Sequence, residues 1–375
     1  MVNKERMLAE FYELVKITCS TRAEREVADL VKAKLTAAGL QVEEDDVGPK
    51  IGGNSGNVIG LLKGSVAAAP VLMLSAHLDS VEPCAGIKPQ LKDGIITSDG
   101  DTILGSDDKS GVAAILEALR IVRENGIAHG DIQVVFTVAE EGGLNGSKNI
   151  DRQRLKADFG YILDSGGAPG RIINAAPGQN SIKVIVRGKT AHAGVAPEEG
   201  INAIVVAGKA LAELRQGRID AETTANVGVI KGGRATNIVP DYVEIACEAR
   251  SRNEEKLAAQ TRHMVETFER VAAANGATAE VTVKRAYDPY VLAADMPVVA
   301  IARQAAENVG LDPVLEATGG GSDANFFNGY GVPSAVLGTG MAKVHTTDEF
   351  IKEVDLYKTA ELVVALIKAA AQAKK

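Results

Sequence analysis

A chain of 375 residues is longer than one hydrophobic core commonly organises, so at least two domains are expected. The hydrophobic fraction of 46% is enough to bury real cores, while 49 acidic against 41 basic residues leave a net charge of -8. That sign disfavours nucleic acid and anionic membranes as partners and leaves small molecules or protein. Residues 1–17, MVNKERMLAEFYELVKI, read as an amphipathic helix charged throughout, unlike the apolar core of a secretion signal. No later stretch is apolar over the length of a membrane span, so the cytoplasm is the expected compartment. Cys19, Cys84 and Cys247 are odd in number and far apart, which predicts three reduced thiols rather than disulfides or a metal knuckle.

Segment 20–40 opens with Thr21 and Glu24 in capping-box spacing and runs at helical period to a stop at Gly39. Apolar runs too short for helices follow: VLMLSA (71–76), IQVVFTV (132–138), FGYIL (159–163) and PSAVLG (333–338). They alternate with helical stretches at 110–125 and 296–308, which predicts an α/β domain with a mixed, largely parallel sheet covered on both faces. Between 180 and 288 the order changes to strand, helix, two strands, helix, strand. That is the ferredoxin-like β-α-β-β-α-β unit, able to close its own small core. The expected organisation is a discontinuous catalytic domain, 1–179 and 289–375, with an inserted α+β lid at 180–288.

Five segments place His, Asp or Glu just beyond a predicted strand: His77 and Asp79, Asp107 and Asp108, Glu140 and Glu141, Asp164, and His345. Taken singly, such residues are usually turn formers or solvated surface. Open α/β sheets build their sites at the carboxyl ends of strands, so five together predict convergence. His77 and Asp79 are two apart on an extended segment and share a face, so Asp79 can accept a hydrogen bond from one ring nitrogen while the other binds metal. A bridging Asp107, imidazole from His77 and His345, and carboxylate from Glu141 and Asp164 would give each of two metals a mixed N/O set. Zinc suits that set, as would cobalt or manganese. Of Glu140 and Glu141, one can ligate while the other faces water.

The motifs HLDSVEP, GSDDKSG, TVAEEGGLNGSK, ILDSGG, AHAG, GGRATNIVP and HTTDEF span essentially the whole chain in order. They resemble the co-catalytic zinc metallopeptidase family that includes peptidase T, carboxypeptidase G, aminoacylase and succinyl-diaminopimelate desuccinylase. VEPCAGIKP and LGSDDKSG are most similar to its peptidase T-like branch. The resemblance implies one metal on His77, Asp107 and Asp164 and a second on Asp107, Glu141 and His345. It implies Glu140 as the catalytic base, Asp79 as the partner of His77, and a cis peptide between Asp107 and Asp108. It further implies a zinc-peptidase-like catalytic domain and a lid that often makes a homodimer, with His192, often contributed across that dimer, assisting the carbonyl oxygen.

In the lid, Asn237 and Arg250 resemble the family's substrate-gripping pair, the arginine taking a substrate carboxylate through parallel hydrogen bonds. A surface pairing of Arg250 with a neighbour such as Glu248 is the alternative. Gly320, within Gly319–Gly321, either lets a backbone amide approach substrate or marks a plain turn. Asp rather than Glu at 164 is, by the resemblance, more usual in aminopeptidases and dipeptidases. The reading is therefore a hydrolase of amide bonds in small peptides, a tripeptide aminopeptidase first. An aminoacylase or carboxypeptidase acting on N-acyl amino acids stands second, and a non-enzymatic metal-binding dimer is the distant alternative.

Overall fold

Two strands with no exposed face, Leu72–His77 and Ile132–Thr137, lie side by side and are buried along their full length. The computed structural model describes residues 2–373 and divides into two compact units. The first runs through Asn174 and returns for Leu292–Ala317 and from Ser322 onward; the second is Ala175–Val291 with Thr318–Gly321. Against the limits of 180 and 288 drawn from the sequence, the second unit is a few residues wider at each end and takes in the glycine-rich segment.

In the first unit, Leu72–His77 pairs in parallel with both Ile132–Thr137 and Phe159–Ser165, which pairs in parallel with Ser334–Gly338. The flanks are antiparallel: Val58–Leu62 beside Ile132–Thr137, Gln41–Glu44 outside it, and Arg171–Ala176 beside Ser334–Gly338. A mixed sheet with a parallel centre results. Leu72, Met73, Leu74 and Phe136 are at most 1% exposed, and each such burial contributes on the order of 1.5–3 kcal/mol. Helix Ser106–Glu124 packs on Leu72–His77 and is itself covered by Lys4–Val15 and Glu353–Gln372. Near-total burial of that helix fixes the position of its first turn, where Asp107 and Asp108 sit.

A second, four-stranded antiparallel sheet in this unit joins the hairpin Gln90–Lys92 and Ile95–Thr97 to Phe350–Lys352 and Met341–Ala342. Strands of two or three residues leave no readable alternation, and the sequence does not announce them. The expected cap at Thr21 is corrected: the helix starts at Arg25, its N-cap is Glu24, and neither side chain caps it. Both are used elsewhere, as described below.

The second unit has the strand order Gly217–Arg218, Thr223–Gly232, Tyr242–Ser251, Gly178–Arg187, Thr278–Tyr287, with every neighbouring pair antiparallel. Helices Ala203–Glu213 and Glu254–Ala274 pack on it around a core that includes Val184, Val243, Ile245, Leu257, Met264 and Phe268. This is the ferredoxin-like arrangement, with a core of its own. The three cysteines are buried and free, and among the described residues no helix is long and apolar enough to cross a membrane.

Candidate metal centre

In-register pairing of the parallel strands brings their carboxyl ends to one edge: His77 stands opposite Thr137, and Ser75 opposite Ile162 two residues before Asp164. Glu140 and Glu141 follow Ala139, whose φ of 51° turns the chain out of the sheet. Asp107 and Asp108, joined by a cis peptide, have non-helical backbone angles at the start of their helix. His345 lies between Met341–Ala342 and Phe350–Lys352, with a φ of 65°, in a region histidine enters more readily than most residues.

The five segments converge. His77 Nε2 is 3.0 Å from Asp107 Oδ1 and 3.8 Å from Asp164 Oδ1. His345 Nε2 is 3.3 Å from the other oxygen of Asp107 and 2.8 Å from Glu141 Oε1. Asp107 thus offers one oxygen to each imidazole. Two ligand groups follow, His77–Asp107–Asp164 and Asp107–Glu141–His345, each with its ligand atoms within 4.8 Å of one another. Glu140 comes within the same limit of His77 and Glu141. Behind His77, Nδ1 lies 3.1 Å from the backbone oxygen of Asp79 and 3.4 Å from its carboxylate. The tautomer is therefore held by the main chain as well as by the expected side chain.

The second unit holds the remaining candidates. His192 and Asn237 are exposed and come together through the Ala193 amide, which donates to the Asn237 carbonyl at 3.0 Å. Arg250, on Tyr242–Ser251, donates through Nε and Nη2 to the two oxygens of Glu248, each at 2.9 Å, and Gln179 donates to the same carboxylate at 2.8 Å. The pairing with Glu248 weighed from the sequence is present. The Gly320 amide donates to Thr318 Oγ1 at 3.2 Å, and a Cβ there would have room. At Gly321 a Cβ would stand 2.3 Å from the Tyr287 ring. Gly321→Ala is expected to lower stability by about 1–3 kcal/mol through overpacking, with Gly320→Ala near neutral, as measured by denaturant unfolding.

A family model described as Peptidase family M20/M25/M40 matches residues 73–369, which includes every residue of this cluster. The chain belongs to that family. It is 45% identical to the uncharacterized protein YqjE of Bacillus subtilis, over 99% of this chain and 100% of that one. The crystal structure of aminopeptidase PepT from Bacillus cereus is 47% identical, superposes with a TM-score of 0.93, and the match covers 99% of this chain and 100% of that chain. A tripeptidase from Staphylococcus aureus is 41% identical, with a TM-score of 0.96 and complete coverage of both chains. The chain is accordingly a metal-dependent peptidase of the M20/M25/M40 family.

The charge balance of this M20 peptidase fits bound cations. Burial alone would raise the Asp107 carboxyl, but hydrogen bonds with His345 and His77 hold it below its ordinary range. His345 is pushed up to about 10 by its bonds to Asp107 and Glu141. Burial opposes the charged form of His77, yet Asp107 and Asp79 keep its pKa well above the usual value. The carboxylates around both imidazoles favour positive charge there, which is the demand a divalent ion meets. Asp164 and Glu140 are pushed well above the carboxylate range by burial, with their acidic neighbours adding to it.

Several supporting residues of this peptidase were not legible in advance. Asp79 accepts from the amides of Glu140 at 2.9 Å and Glu141 at 3.2 Å, and from Thr21 Oγ1 at 2.8 Å. Glu24, fully buried, accepts from the Ala139 amide at 3.0 Å. Two carboxylates therefore capture three consecutive amides and fix how Glu140 and Glu141 diverge. Lys109, also fully buried, donates to the Asp79 carbonyl at 3.2 Å and to Ser80 Oγ at 3.0 Å. Asp323 accepts from Thr137 Oγ1 at 2.5 Å and from Ser147 Oγ, and its charge reaches Glu140 and Asp164.

Proposed function

We propose that this peptidase is a cytoplasmic tripeptide aminopeptidase that works with two divalent ions, zinc before cobalt or manganese. One ion would be held by His77, Asp107 and Asp164 and the other by Asp107, Glu141 and His345, sets of imidazole and carboxylate that suit zinc. Bound there, the ions would supply Lewis acidity, polarising the scissile carbonyl and making water a stronger acid. Glu140 takes the proton of the attacking water and delivers it to the leaving amine, and its burial among Asp164, Asp323 and Glu141 favours accepting that proton. Asp79 orients His77 and, through the Glu140 and Glu141 amides, aims the base. In the inserted unit, His192 would steady the carbonyl oxygen as it gains charge. Asn237 and the Gly320 amide would contact the substrate, and Arg250 would take its carboxylate in exchange for Glu248.

The observation that carries this reading is identity of more than 40% across whole chains with the aminopeptidase and the tripeptidase. The test is hydrolysis of free and N-acetylated di- and tripeptides by zinc-loaded and chelated protein. Metal-dependent release of the amino-terminal residue from free tripeptides is expected. Preference for acetylated substrates would transfer the chain to the deacylases, and no cleavage at all would overturn the reading. A homodimer through the inserted unit belongs to the same proposal, and light scattering that returned the mass of a single chain would remove it.

A further inference from the structure

Glu349 is 1% exposed, although it is a glutamate four residues beyond His345. Its Oε2 accepts from the amides of Leu104 and Gly105, both at 2.8 Å; its Oε1 accepts from Ser106 Oγ at 2.6 Å and the Asp107 amide at 3.1 Å. One carboxylate thus takes all the hydrogen bonds it can hold. Helix Ser106–Glu124 has Gly105 as its N-cap and no side-chain cap of its own, so two of the three amides Glu349 satisfies, those of Gly105 and Asp107, are ones a helix start leaves orphaned. The cap comes from 242 residues away along the chain. The Glu349 amide in turn donates to the Thr346 carbonyl at 3.1 Å, closing a turn directly after His345.

The two segments that Glu349 joins are those carrying Asp107 and His345. We propose that Glu349 is a positioning residue that sets the bridging carboxylate against the second imidazole, and so builds the Asp107–Glu141–His345 half of the metal centre. The inference rests on the two-ion reading above. His77 and Asp164 stand on strands held by the sheet itself and are not among the four groups that donate to the Glu349 carboxylate, so the His77–Asp107–Asp164 half depends on it less. Partners behind metal ligands typically govern affinity by about 10–100-fold.

Full-length wild-type protein and Glu349→Gln are loaded with zinc and challenged with increasing dipicolinate, and the zinc retained is measured by elemental analysis. Glutamine keeps the size and one accepting oxygen but turns its NH2 toward two of the four donors, from which it cannot accept. Loss of one zinc at about 10- to 100-fold lower chelator than in wild type is expected, with the other held within a few-fold. Ser106→Ala, which removes one of the four bonds, should weaken the same ion by a smaller factor and serves where Glu349→Gln does not fold. Wild-type retention of both ions by either folded variant, or equal weakening of both, overturns the proposal. A wild-type protein that never takes up two zinc ions overturns the two-ion reading itself, and the proposal with it.

Discussion

Glu140→Gln is expected to lower kcat by about 10²- to 10⁴-fold, the range general base catalysis supplies, while leaving zinc content and KM close to wild type. The substitution keeps size and shape and removes only the ability to take a proton. The two proposed ion sites, His77–Asp107–Asp164 and Asp107–Glu141–His345, do not use Glu140. Its backbone amide stays anchored on Asp79 whichever side chain it carries. Zinc content decides between this and the competing geometry, because Glu140 also lies within ligand range of His77 and Glu141. A variant that loses zinc would make Glu140 a ligand, and one with wild-type turnover would end its role as base.

The sheet was legible because its central strands are buried on both faces. VLMLSA and IQVVFTV carry no polar alternation, are too short for helices, and become Leu72–His77 and Ile132–Thr137. The inserted unit was legible for a different reason: its element order is that of a fold closed by antiparallel pairing alone, and the register bears this out. What the sequence hides is pairing between short or distant segments. Met341–Ala342 and Phe350–Lys352 are too brief to show a period, yet their pairing is what loops His345 toward Glu141.

The candidate metal ligands stand out in the sequence because imidazole and carboxylate just past strand ends are unusual in combination, whereas the residues that hold them in place look like ordinary local structure. Thr21 and Glu24 have the spacing of a helix cap, but the same groups are satisfied by Asp79 and by the Ala139 amide, more than fifty residues away in sequence. Asp323, at the start of a short helix, carries no signal of its role in the sequence and takes the Thr137 and Ser147 hydroxyls. Hydrogen bonds of this span leave no periodicity. Arg250 shows the opposite difficulty, since a partner two residues away is visible in the sequence and present in the fold, while a substrate carboxylate would have to displace it.

Asp107→Ala should empty both metal sites, because this residue presents an oxygen to each imidazole, 3.0 Å from His77 and 3.3 Å from His345. Asp164→Asn, by contrast, removes a ligand from one group only and should leave the other ion in place. Thermal unfolding gives a readout independent of turnover. An ion bound only by the folded state stabilises it by about 2.7 kcal/mol at a free concentration of 100 times its Kd. Chelation should therefore lower the Tm of the zinc-loaded wild type, lower that of Asp164→Asn by less, and leave Asp107→Ala unmoved. A chelator-sensitive Tm in Asp107→Ala would mean that the ions are held without a bridge, by two sites that share no ligand.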